Sequence, residues 1–140
     1  MGMIKLPNKS INFFKKNLDH IFETGALAEG NWNKKLESYV TDLTGSASSV
    51  STNSNGAGLV ALMTIYKHYS SRKKVIIQSN TMYGVKTMVN AAGCDLVEVA
   101  NCQLNTLMPS LGDIKNSIQK FSKKEKSGLI ILISHIGGII

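Results

Sequence analysis

Apolar residues recur along the chain first at helical spacing and then in short solid runs. Ile11, Phe14, Leu18, Ile21 and Phe22 fall three or four positions apart or side by side, which predicts an amphipathic helix over 8–23. Gly25 and Gly30 interrupt the pattern. It resumes with Trp32, Leu36, Tyr39, Val40 and Leu43, a second helix from 31 that Gly45 closes. Residues 47–52 read as a short strand. Leu59, Leu62, Met63 and Tyr66 then mark the inward face of a helix over 56–69. After a polar loop at 70–74, Val75, Ile76 and Ile77 form an apolar run without alternation, as expected of a strand covered on both faces. A turn at 80–83, a helix over 85–92 closed by Gly93, and a strand at 95–100 follow. Ile114, Ile118 and Phe121 predict a helix over 113–124, and 129–134 reads as a last apolar strand.

Strands alternating with helices predict an α/β layer fold, three layers deep, with a mostly parallel sheet. Residues 1–30 read as an N-terminal helical arm ahead of a layered domain over 31–140. The chain stops a few residues past an apolar strand, whereas open sheets of this kind carry helices over both faces. The expectation is therefore the front part of a longer protein, or half of a split unit.

Composition narrows the function classes. With 140 residues and 43% apolar content, the chain is long enough for a real core and is neither disordered nor fibrous. The longest nearly unbroken apolar run, 129–133, is too short to span a bilayer, and the N-terminus has no apolar stretch of signal-peptide length. A cytoplasmic protein with no membrane association is expected. The net charge of +7 raises the question of nucleic acid. Yet the lysines are scattered, aromatics do not interleave with them, and Arg72 is the only arginine, so no nucleic-acid partner is expected. A solvated surface that also attracts an anionic small molecule fits better. Cys94 and Cys102 lack metal-ligand spacing and are expected to be reduced, with no metal site.

The candidate chemistry lies at the predicted strand ends. In SVSTNSNGAGLVAL, residues 49–62, small polar residues and two glycines open a helix. Amides left unpaired at a helix start attract phosphate, although an ordinary N-capped turn has the same look. The segment fits neither GxGxxG nor a P-loop. The run Gln78-Ser79-Asn80-Thr81-Met82-Tyr83-Gly84 ends the next strand, and Ser134-His135 ends the last one. Three polar strand ends on one sheet edge, where α/β proteins bind ligands, suggest one site. Asp95 and Glu98, three apart on a strand, point to opposite faces and do not form a carboxylate pair.

The order of these pieces resembles the fold-type I pyridoxal-phosphate enzymes, and most closely the DegT/DnrJ/EryC1/StrS sugar aminotransferases. Gly30-Asn31-Trp32 through Leu36-Glu37 is similar to the family's glycine and Leu-Glu helix. Asn53-Ser54-Asn55-Gly56-Ala57-Gly58-Leu59 resembles its phosphate turn. The run from Val75 to Met82 resembles its strand into a Thr-Phe pair, Ala92-Gly93-Cys94 the glycine that follows, and the piece from Leu129 to Gly137 its strand ending in Val-His. The resemblance implies the large domain of a fold-type I enzyme, incomplete in this chain, with pyridoxal 5'-phosphate as cofactor. It places the phosphate on the backbone of Asn55 and Gly56, where the family's Gly-Thr would add a hydroxyl. Met82 stands where the family has a ring-stacking aromatic, with Tyr83 next to it, and Thr81 and His135 line the same cavity. The Schiff-base lysine and the carboxylate for the pyridinium nitrogen are expected beyond Ile140. The implied partners are a keto sugar, nucleotide-linked, an amino-acid donor, and a second subunit in a homodimer. A dehydratase or lyase using the same cofactor, and a non-enzymatic module binding a phosphorylated ligand, are the alternatives.

Overall fold

The computed structural model describes residues 5–27 and 30–138. Met1, Gly2, Ile139 and Ile140, and with them the expectation about where the chain stops, lie outside the described residues. Contacts divide the chain into two compact units, with the boundary after Ser51.

The first unit carries helices α1 (Asn8–Thr24) and α2 (Asn31–Thr44). Both end on a glycine with φ near +65°, Gly25 and Gly45, a conformation that side chains disfavour. Phe13 meets Trp32 edge-on at 5.5 Å, and Lys35 Nζ lies 4.5 Å from the Trp32 ring centre. Neither helix buries a residue fully. Leu36, Tyr39 and Leu43, expected to share the covered face of α2, are exposed.

Residues 47–52 do not form the predicted strand. Side chains of α2 hold them instead. Ser51 donates both its N–H and its hydroxyl to Glu37 Oε1, at 2.8 Å each, and Thr41 Oγ1 donates to Ser49 Oγ at 3.0 Å. Val50, the one large apolar residue there, is 81% exposed, so no burial draws the segment into a sheet. The two Ser51 bonds, the backbone one foremost, hold the Glu37 carboxyl below the usual carboxylate range.

The second unit is an α/β layer. Strand β1 (Lys74–Gln78) lies between β2 (Asp95–Ala100) and β3 (Leu129–Leu132), and all three are parallel. Lys74 sits opposite Asp95 on one side and Leu129 on the other. Val75, Ile76 and Ile77 are buried, as their unbroken apolar run requires. Val75 and Ile77 face a core built with Met63, Val89, Ala92 and Cys94 from helices α3 (Asn55–Ser70) and α4 (Tyr83–Ala91) and the turn that follows. Ile76 points to the opposite face, the alternation a strand imposes, and helix α5 (Leu111–Gln119) packs on β2. Burial pushes the Cys94 thiol pKa up, and both cysteines are free.

Two further details depart from the sequence reading. The helix expected over 113–124 is two helices, α5 and the short α6 (Lys123–Lys126). Ser110 and Asp113 form a reciprocal capping box at the start of α5, and Ser122 and Glu125 form a second that restarts the chain as α6. On α3, only Met63 of the expected inward residues is buried. Leu62 and Tyr66 border an open apolar groove of about 420 Å³ along β3.

Candidate functional site

Parallel strands deliver their carboxyl ends to one edge of the sheet. Beyond β1 the chain runs through Gln78, Asn80 and Thr81 into α4. Beyond β3 it runs through Ile133, Ser134 and His135. Between these ends and the start of α3 lies a cavity of about 470 Å³, in the range of small-molecule sites. Its polar lining comes from Asn55, Thr81, Ser134 and His135, with Met82 beside them and Leu59, Val85 and Leu132 supplying apolar wall.

The start of α3 makes the first wall. Ser54 is the N-cap: its hydroxyl accepts the Ala57 N–H at 3.1 Å and its carbonyl accepts the Gly58 N–H at 3.1 Å. Thr52 Oγ1 also donates to that carbonyl at 2.9 Å. The N–H groups of Asn55 and Gly56 have no acceptor among the described residues. They carry the partial positive charge of the helix start and favour an anion. A Cβ on Gly56 would lie 2.6 Å from Met88 Cε, so the glycine lets the methionine of α4 close against α3.

The strand ends make the second wall. Gln78 has no exposed surface. Its Nε2 donates to the Ser134 carbonyl at 2.9 Å and to Asn80 Oδ1 at 2.7 Å, while its Oε1 accepts the Ser134 N–H at 2.8 Å. Asn80 passes the connection on, donating to the Leu107 carbonyl at 2.7 Å and accepting from the Cys102 thiol at 3.1 Å. The Thr81 and Ser134 hydroxyls stand 3.1 Å apart on the cavity wall.

Of the residues singled out from the sequence, Asn55, Thr81, Met82 and His135 come together around this cavity. Gly56 adjoins it through the helix start. Tyr83, the first residue of α4, is 81% exposed and does not line it, whereas Met82, 74% exposed, does. The sequence placed Gln78 and Ser134 within the polar strand ends but singled out neither as a site residue. A glutamine closing a fully apolar run was the available signal, because a buried amide must find partners. Among the described residues no cluster of His, Cys, Asp or Glu could hold a metal ion, and no helix is long and apolar enough to cross a membrane.

Helix-start amides on one wall and hydroxyls on another lie at the carboxyl edge of a parallel sheet, the edge where α/β proteins bind small ligands. The family model for the DegT/DnrJ/EryC1/StrS aminotransferases matches residues 8–140, and the chain belongs to that family. Membership implies a pyridoxal-phosphate-dependent sugar aminotransferase. No curated protein and no solved structure matches the chain. The residues present fit the cofactor in two respects: unpaired amides suit its phosphate, and a cavity of mixed apolar and hydroxyl lining suits its ring. No lysine or carboxylate lines the cavity among the described residues.

Proposed function

We propose that this cavity holds pyridoxal phosphate and that the chain forms the cofactor-binding wall of an aminotransferase. That enzyme moves an amino group from an amino acid to a keto sugar carried on a nucleotide. The observation that carries the reading is the pair of unpartnered amides at Asn55 and Gly56 beside a cavity lined by Thr81, Met82, Ser134 and His135. The amides would donate hydrogen bonds to the phosphate, Met82 would cover the ring, with Tyr83 as the neighbouring candidate, and Thr81 and His135 would border it. When bound, the cofactor supplies an electron sink for breaking bonds at the amino-bearing carbon. This chain's residues bind it, orient it and wall one side from water. Among the described residues no lysine or carboxylate lines the cavity, so the lysine and carboxylate that the chemistry needs would enter it from outside this lining. The assembly in this reading is a cytoplasmic homodimer. The positive net charge suits an anionic, nucleotide-linked substrate.

Pyridoxamine 5'-phosphate is the test ligand, because its amine cannot condense with the many surface lysines. Titrated into the labelled chain and followed by amide chemical shifts, it is expected to move Asn55, Gly56, Ser134 and His135 saturably, with inorganic phosphate competing. Shifts scattered over the lysine-rich surface, or none, would contradict the reading.

A further inference from the structure

We propose that Gln78 is a positioning residue of this cavity. Its side-chain amide ties the end of β3 to the end of β1 and thereby sets the Thr81–Ser134 hydroxyl pair as the hydrogen-bonding contact for the ring end of the ligand. The inference rests on the reading that the cavity takes a pyridoxal-type cofactor.

The geometry supports it on three counts. First, Gln78 is fully buried at the end of β1, directly after the buried apolar run Val75-Ile76-Ile77, and a buried amide is costly unless every polar atom is met. Second, both ends of that amide are committed to one partner: the carboxamide oxygen takes the Ser134 N–H and the nitrogen gives to the Ser134 carbonyl. The ladder between β1 and β3 pairs residues up to Ile77 and Leu132. Beyond that register the Gln78 side chain continues the cross-strand link that the backbone no longer makes. Third, the residue so fixed carries a hydroxyl that lines the cavity and meets the Thr81 hydroxyl at 3.1 Å. The second Nε2 bond, to Asn80 Oδ1, orients the turn that carries Thr81. One buried side chain thus sets both hydroxyls. A hydroxyl can donate or accept, so the pair suits a ring oxygen or nitrogen in either protonation state. The phosphate end of the ligand, held at α3, does not involve Gln78.

The test compares two probes on the full 140-residue chain. In Gln78→Met, which keeps the side-chain length and removes the amide, the dissociation constant for pyridoxamine 5'-phosphate is expected to rise about tenfold, the effect of losing a hydrogen-bonded contact. Inorganic phosphate, read at the Asn55 and Gly56 amides, is expected to bind within about twofold of the parent chain. In a Ser134→Ala background the Gln78 substitution should add little further loss, because both act through one contact. A Gln78→Met chain that binds pyridoxamine 5'-phosphate as the parent does overturns the inference. So does one that loses inorganic phosphate in the same proportion, since that marks a general collapse of the cavity. Should Gln78→Met not fold, Thr81→Val with Ser134→Ala decides the matter: unchanged affinity for pyridoxamine 5'-phosphate overturns the inference, and a loss of about tenfold supports it. A parent chain that takes up inorganic phosphate but no pyridoxamine 5'-phosphate instead sinks the cofactor reading on which the inference rests.

Discussion

Ser54 allows helix stability and ligand affinity to be separated. Its hydroxyl caps α3 by accepting the Ala57 N–H at 3.1 Å, next to the two amides assigned to the phosphate. Ser54→Ala removes the cap and costs about 1 kcal/mol. In a unit of this size that lowers the melting temperature by about 4–8 °C. Ser54→Asp restores an N-cap acceptor and suits the helix dipole, so the melting temperature returns to near that of the parent. The same carboxylate, however, would repel a phosphate held at the adjacent Asn55 and Gly56 amides; a separation of about 5 Å is taken for the arithmetic. At a water-like permittivity of about 80, a single negative charge against a dianion at that distance costs about 1.7 kcal/mol, or about seventeenfold in affinity. Added salt should narrow the gap. Thermal melts and pyridoxamine 5'-phosphate titrations on the three chains read both effects. If Ser54→Asp binds the ligand as tightly as the parent at low salt, the phosphate does not sit at the start of α3.

Two further outcomes concern stability alone. Met63 is the largest fully buried side chain of the core, so Met63→Ala should cost about 2–5 kcal/mol in denaturant unfolding, and a loss under 1 kcal/mol would mean that α3 does not pack as described. The Glu125 carboxyl is held down to about 2, first by the hydrogen bond from Lys74 at 2.7 Å and then by those from Ser122. A lowered carboxylate pKa stabilises the fold above the group's ordinary value of 4.5, and that contribution fades as pH falls toward 2. The melting-temperature difference between the parent chain and Glu125→Gln should therefore shrink over that interval; a difference constant from pH 6 to pH 2 would refute the assignment.

Local pattern carried most of the layer fold. The apolar run at Val75 marked a strand buried on both faces, whereas the run at Leu129 marked a strand that is only half-buried, with Ile131 exposed; Gly45 and Gly93 marked chain reversals at helix ends. The segment at 47–52 misled because its polarity is neutral between strand and loop, and the deciding contact, Glu37 with Ser51, joins residues fourteen positions apart. The break between α5 and α6 was present in the sequence as two Ser-x-x-acid boxes, overshadowed by the helical spacing through Phe121. At the site, residues on a single turn were readable because the helix start alone determines what Asn55 and Gly56 offer. The link between Gln78 and Ser134 was not, since it spans fifty-six positions and exists only once β1 and β3 pair.

The most direct measurement is a crystal structure of the chain grown with pyridoxamine 5'-phosphate. The account predicts the phosphate within hydrogen-bonding distance of the Asn55 and Gly56 N–H groups, with the ring between Met82 and the Thr81–Ser134 hydroxyls. Density for the ligand on another surface, with those two amides bonded to their own chain, would contradict it.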